Sequence, residues 1–299
     1  MAKLLTKPRC PVCGTIADEP LDSAHGYTIH ECPVCQLRFN NPMKYPGPEW
    51  YERSPHYRDT VTEVLRVPLW IIQRDWRYGA FMALKLRPKG QLLDVGCGPG
   101  SFLRLAKCVG YKVAGIDVSH VAVKVATKFG LSDAYVMSVE ELLSQSWQRH
   151  FDIICLFDVL EHLENPVSVL SGLKKLLKQS GYLVCTVPSY QRWPPLFDPY
   201  VDLPPHHLTL WTTRALERCI SNAGFTVIKS IRSPLTTEQL SPHMLWRFGI
   251  LLQLGFVSTL IKAFAHAVIA SPMVKILSLN PRAGGFTLMV VAQKVERAL

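Results

Sequence analysis

Gln91-Leu-Leu-Asp-Val-Gly-Cys-Gly-Pro-Gly100, running on into Ser101-Phe-Leu-Arg-Leu-Ala-Lys107, is the stretch that decides the fold. A short apolar strand enters a turn with glycines at 96, 98 and 100, and apolar residues then recur at helical spacing. Strand, glycine turn and helix open a Rossmann-like unit, because glycine lets the backbone approach a bound ligand closely. A second strand, Lys112-Val-Ala-Gly-Ile116, ends at Asp117, 21 residues past Gly96. A carboxylate there can bind the paired hydroxyls of a nucleoside ribose. Dinucleotide sites space their glycines G-x-G-x-x-G so that a helix N-terminus meets a pyrophosphate. This turn reads G-x-G-x-G and Pro99 lacks an amide donor, so pyrophosphate fits it poorly.

Downstream, Tyr135-Val136, Phe151-Asp-Ile-Ile-Cys155 and Tyr182-Leu-Val-Cys-Thr-Val187 are short apolar runs. They alternate with helical patterns at 119–129 and 167–179, as in a doubly wound α/β sheet. Residues 224–231 and 286–295 read as closing strands. Such sheets bind ligands at the carboxyl ends of their strands, and Asp94, Asp117 and Asp158 fall at or just beyond those ends.

Upstream, Cys10-Pro-Val-Cys13 and Cys32-Pro-Val-Cys35 are two C-x2-C pairs separated by 18 residues. Each pair makes a tight turn aiming two sulfurs at one point, the pattern of a four-thiolate zinc ribbon, with Tyr27-Thr-Ile-His-Glu31 as a strand between them. A closed thiolate shell makes the zinc structural, and His25 and His30 are expected at the surface. A Pro- and Tyr-rich linker follows, then a helical pattern over 62–86 whose aromatics read as core, with a lid over a cofactor as the alternative. The domains are read as 1–42 (ribbon), 43–87 (linker and helical segment) and 88–299 (the α/β domain).

With 299 residues, 48% of them apolar, the chain can bury a large core and is not a disordered segment. The net charge of +10 is concentrated in 61–89, with six Lys/Arg to two Asp/Glu, and in 230–299, with seven to two. That favours an anionic partner such as lipid headgroups, nucleic acid or a phosphorylated substrate. The first residues carry no secretory signal pattern, so a cytoplasmic, reducing setting is expected, with nine cysteines serving as ligands and buried thiols. The most apolar window, 244–270, is interrupted by Arg247 and Lys262 and is too short for a bilayer span. Residues 240–282 read as a helical insertion that caps the acceptor site or lies on a membrane surface, with an ordinary core-packing insertion as the alternative.

Three motifs together resemble class I S-adenosylmethionine-dependent methyltransferases. Asp94-Val-Gly-Cys-Gly-Pro-Gly100 is similar to their cofactor loop. The stretch from Phe151 to Pro166 resembles the fourth strand and following segment of the branch that includes ubiquinone-biosynthesis enzymes, and Pro205-His-His-Leu-Thr-Leu-Trp-Thr212 resembles its loop after the fifth strand. The zinc pairs resemble a module fused to some of these enzymes, including ones of sugar and polysaccharide pathways. The resemblance implies a seven-stranded sheet. It also implies that Asp94, Gly96, Gly98 and Gly100 lie against the methionine part of S-adenosylmethionine, Asp117 on the ribose and Val118 beside the adenine. The turn Met137-Ser138-Val139 would close over the adenine without an acid of its own, and Phe157 and Asp158 would reach the methyl-bearing side.

Methyl transfer from a sulfonium is an in-line displacement that alignment in a dry pocket accelerates, with a base needed only when the acceptor loses a proton early. The candidates for that role are His162, beside Glu161, and His206 and His207; Glu161 and His162 read equally well as braces for the next helix. The leading reading is a zinc-ribbon methyltransferase acting on a small-molecule, sugar or lipid-linked acceptor, with peripheral membrane contact through 240–282. An RNA methyltransferase gripping RNA with its ribbon, and a non-catalytic cofactor-binding scaffold, are the alternatives.

Overall fold

The computed structural model describes residues 7–53, 61, 67–86, 89–145, 151–192, 202–235, 276 and 284–295. The insertion read at 240–282 lies outside the described residues except for Ile276, as do residues 62–66. No helix among the described residues is long and apolar enough to cross a membrane.

The chain opens with an antiparallel ribbon, β1 (Pro20–Ala24), β2 (Tyr27–Glu31) and β3 (Arg38–Asn41). Its two cysteine knuckles are built alike. Gly14 N donates to Cys10 O and Gln36 N to Cys32 O, each at 2.9 Å, and both turn residues take the left-handed conformation, Gly14 at φ 70° and Gln36 at φ 62°. His30, expected at the surface, is instead buried: its ring stacks on Phe39 and its Nε2 lies 2.9 Å from Thr28 Oγ1. Alternation on β2 puts it on the same face as Thr28, toward the core rather than solvent.

A short linker helix α1 (Pro48–Arg53) precedes α2 (Leu69–Ile72), which starts after Pro68, and α3 (Trp76–Ala83), capped by Asp75. Trp76, Tyr78 and Phe81 pack against Phe102 and the neighbouring core, as the core reading expects, whereas Trp70 departs from it and is 58% exposed.

The main sheet runs through β4 (Gln91–Val95), β5 (Lys112–Asp117), β6 (Ala134–Val136), β7 (Phe151–Phe157), β8 (Leu177–Pro188), β10 (Thr226–Arg232) and β11 (Thr287–Gln293), after the two-residue β9 (Thr209–Leu210). The spatial order is β10-β11-β8-β7-β4-β5-β6. The five strands from β4 to β8 are parallel, and β11 enters antiparallel between β8 and β10. Every residue of β7 is buried, as a central strand covered on both faces requires. The covering helices are α4 (Ser101–Cys108), α5 (His120–Lys128), α6 (Val139–Ser144), α7 (Pro166–Leu176) and α8 (Thr213–Asn222). Strand order reverses between β4 and β7, so the carboxyl ends of β4, β5 and β7 border one crevice. The helical pattern expected to reach residue 179 stops at Leu176, because Leu177 turns extended and pairs with Phe151.

The ribbon and the α/β domain share one apolar core. Cys10, Val12, Leu37 and Phe39 pack with Trp211, Ala215, Cys219 and Ile220. β3 pairs with β9, Arg38 opposite Leu210 and Phe39 opposite Thr209, making the ribbon a four-stranded sheet with a strand from the far half of the chain.

Candidate functional site

The crevice at the strand ends holds a cavity of about 550 Å³. A second hollow, about 610 Å³, lies at the opposite, amino ends of β4 and β5, beside Phe81 and Tyr111. The glycine turn shapes the first cavity. Gly96 sits at φ 73°, and a Cβ there would come within 2.5 Å of Val159. Gly98 sits at φ 52° with open space where its Cβ would be, so its backbone faces the cavity bare. Gly98 N donates to Asp117 Oδ2 at 2.8 Å, and Ser119 N to Asp117 Oδ1 at 2.9 Å, which fixes the carboxylate at the tip of β5.

Gly96, Gly98, Asp117, Val118, Ser138, Val139 and Asp158 line the cavity together with His162. Ser138 caps α6 in a reciprocal arrangement: Glu141 N donates to Ser138 Oγ at 3.1 Å and Ser138 N to Glu141 Oε2 at 2.7 Å. That capping box places the α6 N-terminus at the cavity wall. Asp94, Gly100 and Phe157 are not among the lining residues. Phe157 is turned into the core, its ring 4.6 Å from Phe102. Gly100 ends the turn at φ 82°, where a Cβ would strike Leu131. Asp94 is buried just behind Val95 and Gly96, and its Oδ1 has no hydrogen-bond partner. Burial, then the charge of Asp117, push its pKa well above the carboxylate range, with Arg77 pulling the other way.

Three contributors escaped the sequence reading. Arg77 of α3 is ion-paired with Asp75 and with Asp158, and Thr186 Oγ1 donates to Asp158 Oδ1 at 2.8 Å. Tyr45, from the linker, lines the cavity; burial and the charges of Asp117 and Glu140 push its pKa up to about 12. Glu140 supplies the acid missing from the turn before it. The linker is thus part of the site. Glu164 Oε1 accepts from Tyr45 N at 2.8 Å, and Glu52 Oε1 accepts from His120 N at 3.0 Å. The tyrosine-rich composition of the linker was the available signal.

Glu161 and His162 separate in space. Glu161 is fully buried with both carboxylate oxygens unpartnered, and burial pushes its pKa well up. His162 faces the cavity, and its Nδ1 donates to His206 O at 2.7 Å. Burial, then His206, hold His162 down at about 3; burial and the two other histidines hold His207 well below the usual range. The rings of His162, His206 and His207 lie 4.5 to 5.1 Å apart.

The four ribbon sulfurs also converge. Cys10 and Cys35 Sγ are 3.5 Å apart, Cys13 and Cys32 3.3 Å, and Cys13 and Cys35 3.8 Å. A metal–sulfur bond of about 2.3 Å in a tetrahedron gives sulfur–sulfur edges of about 3.8 Å.

Residues 73–230, more than half of the chain, match the family described as "Methyltransferase domain". The chain belongs to this family. Among curated relatives, this methyltransferase-domain chain is 34% identical over 97 residues to a ubiquinone biosynthesis O-methyltransferase of Thiobacillus denitrificans, covering 31% of the chain and 42% of that protein. It is 30% identical over 97 residues to the Yersinia pestis protein of the same name, covering 31% and 40%. The chain thus spans about two fifths of the length of these relatives. A SAM-dependent methyltransferase of Archaeoglobus fulgidus superposes with a TM-score of 0.56 at 20% identity, over 80% of this chain and all of that one. Haemonchus contortus phosphoethanolamine N-methyltransferase 2 does so with a TM-score of 0.55 at 16% identity, over 83% of this chain and 60% of that one. Both likenesses are of fold.

Proposed function

We propose that this methyltransferase-domain chain binds S-adenosylmethionine and transfers its methyl group to a small-molecule acceptor, of the sugar or lipid-linked class. The observation that carries the reading is the cavity at the β4/β7 switch point, with Asp117 at one end and Asp158 and His162 at another. The names of the curated relatives support a small-molecule acceptor.

The residues fit the cofactor. Asp117 suits the ribose hydroxyls, since it lines the cavity at the tip of β5 with its carboxylate held in place by two backbone amides. Val118, Met137 and Val139 give an apolar slot for adenine, with Tyr45 beside them. The amino-acid end carries an ammonium, which suits the unpartnered Oδ1 of Asp94 directly behind the Gly96 turn. When bound, the cofactor supplies an electrophilic methyl carbon on a sulfonium. The chain's part is to hold donor and acceptor in line and exclude water, for which the apolar wall of Val159 and Leu163 serves. His162, its Nδ1 proton committed to His206 O, is held at the cavity wall on the same side as Asp158.

The ribbon sulfurs suit a structural Zn²⁺, held by Cys10, Cys13, Cys32 and Cys35 with no position left for chemistry. Calorimetry with S-adenosylmethionine, S-adenosylhomocysteine and NADH tests the reading. Binding of the first two with no NADH binding is the expected result; tight NADH binding alone would sink it.

A further inference from the structure

We propose that His162, His206 and His207 form a second metal site, a three-imidazole seat for a divalent transition-metal ion that opens toward the acceptor side of the cavity. The proposal rests on the methyltransferase reading only for what the ion does, not for where it binds.

Two separate segments bring the rings together. His162 stands on the 3-10 turn Leu160–His162 that follows β7, and His206 and His207 stand in the loop before β9. One ligand-capable atom from each lies within 4.8 Å of the other two. Nitrogens bound to one zinc-like ion sit about 3.4 Å apart, so closure takes side-chain adjustments on the order of 1 Å.

Two further features point to a ligand rather than to rings that merely stack. His162 donates Nδ1–H to the His206 carbonyl at 2.7 Å, which holds the ring's orientation, as backbone carbonyls do for metal-bound histidines. His207 is 4% exposed and its Nδ1 has no hydrogen-bond partner. A buried polar nitrogen is ordinarily satisfied, and a coordinate bond would satisfy this one.

The donor set selects the ion. Three imidazoles, with no carboxylate grouped with them among the described residues, suit Zn²⁺, Co²⁺, Ni²⁺ or Cu²⁺, whereas Mg²⁺ and Ca²⁺ prefer oxygen ligands. The ribbon closes its metal with four sulfurs. Three histidines leave a tetrahedral ion one position short, as in catalytic zinc sites. His162 lines the cavity, so that position faces where an acceptor would sit. An acceptor hydroxyl bound to the ion would lose its proton to solvent more readily. Its oxygen would then form the bond to the methyl carbon as the carbon–sulfur bond breaks, the electron pair staying on sulfur. The site therefore fits an oxygen acceptor.

The experiment adds Co²⁺ to the full chain whose thiolate site is already filled with Zn²⁺. Expected is one further equivalent of Co²⁺ with visible d–d absorption and no thiolate charge-transfer band. His207→Ala should weaken it by about a hundredfold or more. Should that buried substitution disturb folding, the half-buried His206→Ala serves instead, with S-adenosylmethionine binding and near-ultraviolet circular dichroism as controls. No second equivalent in the wild type, unchanged Co²⁺ affinity in folded variants, or a thiolate band would each overturn the site. A second equivalent without any S-adenosylmethionine binding would instead remove the methyltransferase reading while the metal seat stood.

Discussion

Asn40, in the last strand of the ribbon, donates its side-chain amide to the backbone carbonyl of His207 at 2.8 Å, across 167 positions of sequence. The cysteine-bearing ribbon therefore holds the histidine loop directly, and Asn40 N bonds Leu208 O at 3.0 Å beside it. Asn40→Ala should cost about 1–3 kcal/mol of stability, since a buried carbonyl loses its partner. It should also lower kcat/KM for the acceptor while leaving the Kd for S-adenosylmethionine nearly unchanged. Denaturant unfolding measures the first effect, and steady-state kinetics beside calorimetry the second; equal losses in kcat/KM and in cofactor affinity would disconnect the ribbon from the acceptor side.

Asp117→Ala is expected to weaken S-adenosylmethionine by about 1.5–3 kcal/mol, the range for hydrogen bonds to a charged group. It also frees Gly98 N from its tether. Isothermal titration giving unchanged affinity would take Asp117 out of the site.

The raised pKa of Asp94 gives a sign to the pH dependence. Its folded value lies above the ordinary 3.8, so its contribution to stability is present below that value and is lost as pH rises toward the folded pKa. A cationic ligand beside Asp94 favours the ionised form, so cofactor binding should release protons in that window and tighten with increasing pH. Calorimetry in buffers of different ionisation enthalpy reads the proton count, and Asp94→Asn should abolish the release. Proton uptake on binding would contradict the placement of the ammonium.

Elemental analysis should find zinc at the ribbon, and Cys10→Ser/Cys32→Ser should lose it. Because the ribbon's apolar residues sit in the same core as Trp211 and Ile220, stripping this zinc should lower the thermal midpoint of the whole chain in one transition. A separate early transition, with the α/β domain's midpoint unmoved, would show that the two parts melt independently.

The strands and glycine turn were legible because their signals are local. Gln91–Val95 and Tyr27–Glu31 read as strands from five residues each, and the cysteine pairs from their spacing. What escaped depends on partners far along the chain. Nothing near Arg77 says that it meets Asp158, 81 residues on. Phe157 follows the strand pattern, yet its ring is claimed by Phe102 and Tyr78 rather than by the cavity. His30 sits two residues from Cys32, and it is buried against Phe39 of the neighbouring strand, a pairing its own surroundings in the sequence do not announce.

The pairing of Phe39 with Thr209 also sets an order in time. During synthesis the four ribbon cysteines emerge well before β9, and the sheet edge that β3 joins is made only when residue 210 has left the ribosome. Until then Leu37 and Phe39, both buried in the finished protein, lack their cover. A contact this distant closes slowly because the intervening loop entropy comes first. The ribbon's apolar edge thus stays bare for much of translation, until the far half of the chain arrives to cover it.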